Sequence, residues 1–109
     1  FAWQHYGVNW VQLDAPRHLF LHSVESMKTL AQQCGFTLDQ VVYDSNAFQF
    51  WGSEQYEQGI MLRDSRSWAE NPDSAVFTSA QIKEFEKRAQ DLNAHNQGDQ
   101  AAFYLRKPL

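Results

Sequence analysis

The segment from 100 to 107 places the strongest constraint on what this chain can fold into. It alternates as a strand does, and both of its faces are apolar. The side chains concerned are Ala101, Phe103 and Leu105 on one face and Ala102 and Tyr104 on the other. A strand with two apolar faces expects cover on both faces and neighbours at both edges. Since only one other strand is indicated and two strands do not form a stable sheet alone, we expect the missing neighbours to come from outside this sequence.

Size and composition allow one modest core. A chain of 109 residues predicts a single domain over 1–109, and 12.7 kDa predicts a folded surface of roughly 6,200 Å². Cys34 is the single cysteine, which excludes an internal disulfide and favours a reducing compartment. No apolar run approaches the ~20 residues of a membrane span, so we predict a cytoplasmic protein without membrane contact.

Charge argues against polyanionic partners. The net charge is −4, from 9 Lys and Arg against 13 Asp and Glu, and the acidic residues are scattered. Without a basic stripe to neutralise phosphates, nucleic-acid binding is not expected. Aromatic residues make up 15% of the chain, which is more than so small a core needs. Some of them are therefore expected to line a cleft or a covered surface.

The first 22 residues form an aromatic lead-in. Phe1, Trp3 and Tyr6 share one short helical face that ends at Gly7, and residues 14–16 form a turn signal. Residues 18–22 have the pattern of a short extended run. A start inside an aromatic cluster is unusual for a natural terminus, so we expect the sequence to be part of something larger.

A helix over 24–34 and a strand over 38–43 follow. Ser23 is a good N-cap and Gly35 a good terminator for the helix. Its apolar stripe comprises Val24, Met27, Leu30, Ala31 and Cys34. On that stripe, Cys34 is interpreted as a small buried hydrophobe without reactivity.

The middle of the chain is less regular. Phe48, Phe50 and Trp51 are interpreted as a possible prolongation of the strand after a break at 44–46. A weak helix start is indicated at Ser53, with Gly59 ending that helix. Residues 63–76 show little periodicity and are predicted to form a loop.

The last helix has the clearest start. Thr78 and Gln81 form a capping box, with Phe77 and Ile82 at the positions of a hydrophobic staple. The apolar stripe that follows predicts a helix over about 79–95. The predicted order is therefore lead-in, helix, strand, short helix, loop, helix and strand.

Several segments together resemble a known family. The first joins Trp10, Leu13 and Asp14 to the run Pro16, Arg17, His18, Leu19 and Phe20. The others are Cys34-Gly35-Phe36, Tyr43-Asp44-Ser45, Phe48 to Glu54 and Gly98 to Leu105. In this combination and order they resemble the C-terminal third of bacterial class I S-adenosylmethionine-dependent methyltransferases, the group with a seven-stranded sheet.

The resemblance implies an α/β, Rossmann-like parent, of which the chain would be an α+β piece. It divides the chain into the lead-in 1–22 and a helix–strand–helix–strand unit over 23–109. In that family the last strand runs antiparallel between the fifth and sixth strands. The cofactor of the parent would be S-adenosylmethionine, but no glycine-rich phosphate-type loop occurs among the 5 glycines. We therefore expect the chain alone to bind no cofactor and to be inactive.

The implied function is methyl transfer to a small-molecule or saccharide-like acceptor, with four candidate residues. His18 is a candidate general base, since imidazole titrates near neutral pH; the alternative is a histidine that holds its loop by a backbone hydrogen bond. Trp10 and Tyr6 would wall the acceptor pocket or simply pack. Arg17 would pair with an acidic substrate group or with Asp14. No metal site is predicted.

Two alternatives stay open at this point. The chain could be a non-catalytic α+β binding or oligomerisation module, or one chain of an enzyme whose cofactor half is encoded separately. In either case the unpaired edge of strand 100–107 and the N-terminal aromatic residues predict self-association.

Overall fold

The computed structural model describes residues 1–73 and 76–109, which form a mixed α+β arrangement of helices and one two-stranded antiparallel sheet. The elements in chain order are α1 (Ala2–Tyr6), α2 (Val24–Gln33), β1 (Thr37–Tyr43), α3 (Phe48–Glu57), α4 (Ser79–Ala94) and β2 (Ala101–Arg106). Two short 3₁₀ turns, Gly7–Asn9 and Val11–Leu13, follow α1. Over the described residues the predicted order of helices and strands is confirmed, while positions 74 and 75 of the predicted loop lie outside those residues.

Local capping explains the two helices that the sequence predicts best. The Ser23 hydroxyl accepts a hydrogen bond from the Ser26 N–H at 3.1 Å at the start of α2. At the start of α4 the Thr78 hydroxyl accepts from the Gln81 N–H, and the Gln81 side chain accepts from the Thr78 N–H. Gly35, with a φ of +76°, ends the first of these helices in a conformation that glycine tolerates best.

The interpretation of Phe48 to Trp51 as a prolonged strand is wrong, because these residues open α3. The Asn46 side-chain carbonyl accepts from the Phe48 N–H at 2.8 Å and supports the helix start. Ser53 lies inside the helix rather than at its beginning, and its hydroxyl accepts from the Val11 N–H at 3.0 Å. The predicted stop is confirmed, since Gly59 follows the helix with a φ of +69°.

The core lies between α1, α3 and α4. Phe50 is fully buried and stacks on Phe85 with ring centroids 5.4 Å apart. The Arg88 guanidinium lies 4.4 Å from the centre of the Phe50 ring, a cation–π contact. The other buried members of this cluster are Ala2, Tyr6, Ala47, Phe77 and Ala89.

The sheet is far less covered than this core. β1 and β2 pair from Tyr43 with Ala101 to Thr37 with Arg106, and no second strand pairs with β2 among the described residues. Tyr104 and Leu105 of β2 are exposed. One edge and part of the surface of an apolar strand therefore face solvent.

Helix α2 contacts β1, but its apolar stripe is only partly buried. Ala31 is buried, whereas Leu30 is exposed. The prediction that Cys34 lies buried is wrong, because Cys34 is the exposed residue that ends α2. The extended run before α2 is open as well, with Leu19 and Phe20 about 80% exposed.

The radius of gyration and the accessible surface area both agree with an incompletely covered sheet. The radius of gyration is 16.2 Å, against roughly 13 Å for a compact domain of this length. The accessible surface is 7525 Å², more than the roughly 6,200 Å² that size alone predicts. None of the helices in the described ranges is both long and apolar enough to cross a bilayer.

Candidate functional site

A cleft with a volume of about 600 Å³ lies at the end of the sheet where Tyr43 pairs with Ala101. It is called the Asp99 cleft below. Its lining comes from the α1 segment, the start of α2, the end of β1 and the loop that leads into β2, namely Phe1, Gln4, 22–24, Tyr43, 96–101 and Phe103. Four segments that are distant in sequence thus meet at one place.

The carboxylate of Asp99 is tied to the lead-in segment. Its Oδ2 accepts from the Trp10 indole Nε1–H at 3.0 Å and from the Gln12 amide Nε2–H at 2.6 Å. Its Oδ1 is buried and has no hydrogen-bond partner among the described residues. A buried carboxylate oxygen without a hydrogen-bond partner is energetically costly. Asp99 Oδ1 can therefore still accept a hydrogen bond.

The loop that carries Asp99 is fixed by a second network. The Asn93 side chain accepts from the Ser45 N–H at 3.1 Å and donates to the Ser45 carbonyl at 2.9 Å. The Ser45 hydroxyl in turn accepts from the Gln100 N–H at 2.9 Å. Between these groups Gly98 leaves no room for a side chain, because a Cβ would lie 2.4 Å from Asn93 Oδ1 and 2.5 Å from Ser45 Oγ.

His18 is exposed and lies against the same lead-in segment. Its Nδ1 is 3.1 Å from the backbone carbonyl of Gln12, so Nδ1 must carry the proton because a carbonyl only accepts. This is the loop-holding hydrogen bond that the sequence left as an alternative. It also leaves Nε2 as an unprotonated acceptor in the neutral ring, which is the form that a general base requires.

Arg17 pairs with a carboxylate of its own turn. Its Nε–H donates to Asp14 Oδ2 at 2.6 Å, and its terminal nitrogen joins the same ion pair. The guanidinium is largely exposed, and Arg17 does not line the Asp99 cleft. The structure thus contains the tether to Asp14 that the sequence offered as the alternative role.

Tyr6 lies in the core and not on the cleft. Its hydroxyl donates to Glu54 Oε1 at 3.4 Å. Burial raises the pKa of the Tyr6 phenol far above its ordinary value, and the nearby Glu54 carboxylate raises it further. Burial likewise raises the pKa of the Glu54 carboxyl, while the hydrogen bond from Tyr6 and the charge of Arg88 lower it. Tyr6 is therefore a protonated hydrogen-bond donor at neutral pH.

None of the four candidates that the sequence singled out lines the Asp99 cleft, but two of them are joined to one another. Trp10 and His18 are linked through Gln12, which donates to Asp99 and presents its carbonyl to His18. Arg17 and Tyr6 are held in separate contacts. Sequence reasoning missed Asp99 and Gln12; the only local signal was the position of Asp99 directly after Gly98 at the entry to the last strand.

The groups at this site can exchange hydrogen bonds and protons with a ligand. A carboxylate accepts, the carboxamides of the lining donate and accept, and the imidazole of His18, which lies outside the lining, accepts at Nε2 when neutral. No group of three His, Cys, Asp or Glu side chains suited to a metal occurs within 1–73 and 76–109. The lining also lacks a glycine-rich turn of the kind that holds a nucleotide-like cofactor.

Comparison of the chain with family models, with curated proteins and with solved structures gives no match in any of the three.

Proposed function

We propose that this chain is the C-terminal, acceptor-side portion of a bacterial class I S-adenosylmethionine-dependent methyltransferase that acts on a small-molecule or saccharide-like acceptor. The quoted motifs support this, and so does the sequence of elements α2, β1, α4 and β2. In the proposed Rossmann-like parent β1 and β2 would be the sixth and seventh strands, which run antiparallel as these two do. Helix α3 would be an insertion between them.

The observation that carries the proposal is the state of β2. This strand is apolar on both faces, pairs along one edge only among residues 1–73 and 76–109, and exposes Tyr104 and Leu105. An unpaired apolar edge is a liability that proteins normally cover. In the proposed parent, the strand that is fifth in its sheet would pair with the free edge of β2 and so cover the exposed edge.

The Asp99 cleft supports the acceptor-side assignment. It lies at the carboxyl end of β1, and in open α/β sheets ligands bind beyond the carboxyl ends of the strands. His18 does not line the cleft, so the proposal requires an acceptor that extends from the cleft to His18 Nε2, which takes the proton from its hydroxyl or amine as the methyl group is transferred. Trp10 positions Asp99 through its indole N–H.

The other two candidates take lesser parts. Tyr6 supports the wall of the site from the core, since its hydroxyl is already bound to Glu54. Arg17 meets an acidic acceptor group only if it leaves Asp14. S-adenosylmethionine supplies the methyl group in such enzymes, but the residues of this chain do not fit it because no glycine-rich turn is present. The cofactor site is therefore assigned to another part of the proposed parent.

The test is to express the complete reading frame and titrate both it and the 109-residue chain with S-adenosylmethionine by calorimetry. We expect micromolar binding by the complete protein and none by the chain. Methyl transfer from labelled cofactor to glycoside and amine acceptors is measured in the same samples. Micromolar binding by the chain alone, or no cofactor binding by the complete protein, would refute the proposal.

A non-catalytic α+β binding or oligomerisation module is the second candidate. The observation in its favour is that α1, α3 and α4 enclose a core without the sheet, while the edge of β2 stays open to a second copy. A reading frame that starts near Phe1 supports this module, and an upstream segment of domain size with a glycine-rich turn supports the methyltransferase. A cofactor half encoded as a separate chain would appear as a required partner.

Both candidates predict self-association of the isolated chain, through the free edge of β2 or through burial of exposed aromatic residues such as Trp3. Light scattering at tens of micromolar, the range in which weak interfaces of about 1 μM to 1 mM become populated, measures it directly. A strict monomer under these conditions would contradict this expectation.

A further inference from the structure

The Asp99 cleft has an unusual set of polar groups. Its lining contains one carboxylate, that of Asp99, and among the described residues it contains no Lys or Arg. Three lining carboxamides, those of Gln4, Asn96 and Gln97, are exposed and hold no side-chain hydrogen bond within the described ranges. The lining therefore contains several neutral carboxamides that can both donate and accept hydrogen bonds. It also contains one charged, and therefore stronger, hydrogen-bond acceptor, the Asp99 carboxylate.

The apolar part of the lining is aromatic. Phe1, Tyr43 and Phe103 are all half-buried and border the cleft from two different elements and the lead-in. Flat apolar rings combined with a few fixed polar groups are typical of sites for ligands that have both apolar faces and polar edges. A pyranose ring has this character, because its hydroxyls lie around an apolar carbon framework.

The charge and polarity of the cleft lining favour some classes of ligand over others. An anion would be repelled by Asp99 and would meet no basic side chain apart from His22. A purely apolar ligand would leave the carboxamides and the Asp99 Oδ1 without partners, which is unfavourable in a desolvated site. The hydroxyls of a neutral polyhydroxyl compound can donate hydrogen bonds to the carboxylate. They can also donate to the carboxamide oxygens and accept from the carboxamide N–H groups.

We propose that the Asp99 cleft binds a neutral polyhydroxyl compound of the saccharide class, and that Asp99 Oδ1, which is buried in the ligand-free fold, becomes accessible on binding and accepts a hydrogen bond from one of the ligand's hydroxyls. The inference rests on the proposed function only in identifying this compound with the methyl acceptor. Trp10 and Gln12 hold the other carboxylate oxygen, so the orientation of Asp99 is set before the ligand arrives, which reduces the entropic cost of binding.

The Trp10 indole provides the readout, because its N–H donates directly to Asp99. Its ¹⁵N–¹H resonance is followed in the protein of the complete reading frame during titration with the methyl glycosides of glucose, galactose and mannose. Butylamine is titrated in parallel as a cationic probe. We expect a saturable shift with at least one glycoside and a weaker one with the amine, because the amine interacts with Asp99 but leaves the lining carboxamides without partners.

Two variants and a matched control locate the binding. Asp99→Asn replaces an acceptor by an amide and is expected to weaken glycoside binding at least about tenfold, or about 1.4 kcal/mol. Asp39→Asn makes the same change at an exposed carboxylate near the opposite end of the sheet, paired with Arg106, and is expected to bind as the wild type does. Gln4→Ala removes an exposed side chain that makes no side-chain hydrogen bond within the described residues, and is expected to weaken binding about two- to fivefold.

The outcomes are separable. No glycoside shift, equal affinity in Asp99→Asn, or binding of butylamine alone would each overturn the proposed polyhydroxyl site. If Asp99→Asn fails to fold, Gln4→Ala decides, and unchanged affinity in that variant would count as refutation. A glycoside that binds at Asp99 but is never methylated would refute the proposed function and leave this site intact.

Discussion

The two halves of this molecule differ in how completely they bury their apolar side chains. In the closed half, formed by α1, α3 and α4, Phe50 is fully buried and its ring contacts Phe85 and Arg88. In the open half, formed by α2, β1 and β2, Leu30 and Leu105 are each more than two-fifths exposed. Each half contains one helix with a regular apolar stripe in the sequence, α4 in the closed half and α2 in the open half. A pattern therefore shows which face needs cover, but it does not show whether the same chain supplies that cover.

The largest expected effect lies in the closed half. Phe50→Ala removes a fully buried ring and the contacts it makes with Phe85, which is expected to lower the free energy of unfolding by about 3–5 kcal/mol. Urea denaturation followed by tryptophan fluorescence measures the change. A loss below about 1 kcal/mol would mean that the closed half is no better packed than the open one.

The second effect concerns the loop between the halves. Gly98→Ala places a Cβ against Asn93 Oδ1 and Ser45 Oγ, so the loop must shift, at a cost of about 1–3 kcal/mol. The shift should also move Asp99 and change the Trp10 indole resonance. Gln97→Ala is the control in the same loop, and similar losses in both variants would argue against a steric cause.

A smaller effect is expected from the open half of the isolated chain. Leu105 is exposed in β2, so Leu105→Ala should cost less than about 1 kcal/mol in the isolated chain. In the protein of the complete reading frame the same change should cost about 2–5 kcal/mol, as for a buried leucine. Equal small losses in both contexts would show that β2 stays uncovered.

The smallest effect is a pH dependence within the closed half. Burial raises the pKa of Glu54, so the folded state binds this proton more tightly than the unfolded state does. Stability from this group is therefore lost as the pH rises past the ordinary pKa of glutamate. Glu54→Gln keeps an acceptor for Tyr6 and should remove that loss.

We expect Glu54→Gln to be more stable than the wild type at neutral pH and nearly equal to it in mild acid. Thermal denaturation across this range measures the difference. Glu84→Gln, which changes an exposed carboxylate of α4 that is not among the groups shifting the pKa of Glu54, is the control. A wild type that gains stability relative to Glu54→Gln as the pH rises would contradict the sign.

Elements with local capping were predictable from the sequence. Ser23 and the pair Thr78 and Gln81 start their helices through contacts within three residues. Helix α3 was not predictable in the same way, because its aromatic start resembles a strand. What places it is partly non-local: the Val11 N–H bonds to the Ser53 hydroxyl, across 42 residues.

The candidate site also combines residues that the sequence predicts with residues that only long-range contacts place there. Trp10 and His18 stand in a recognisable motif and were named in advance. Asp99 was not, because its bond to Trp10 spans 89 residues and no local pattern encodes it. The burial expected for Cys34 failed for a related reason, since helical spacing identifies a stripe but not where its cover ends.

The most direct test of the open half is hydrogen exchange at the β2 amides that do not bond to β1. The complete protein should protect these amides strongly, because a further strand pairs with them, while in dilute isolated chain they should exchange fast. Fast exchange in both samples would show that β2 is a true edge strand and that no neighbouring strand completes this sheet.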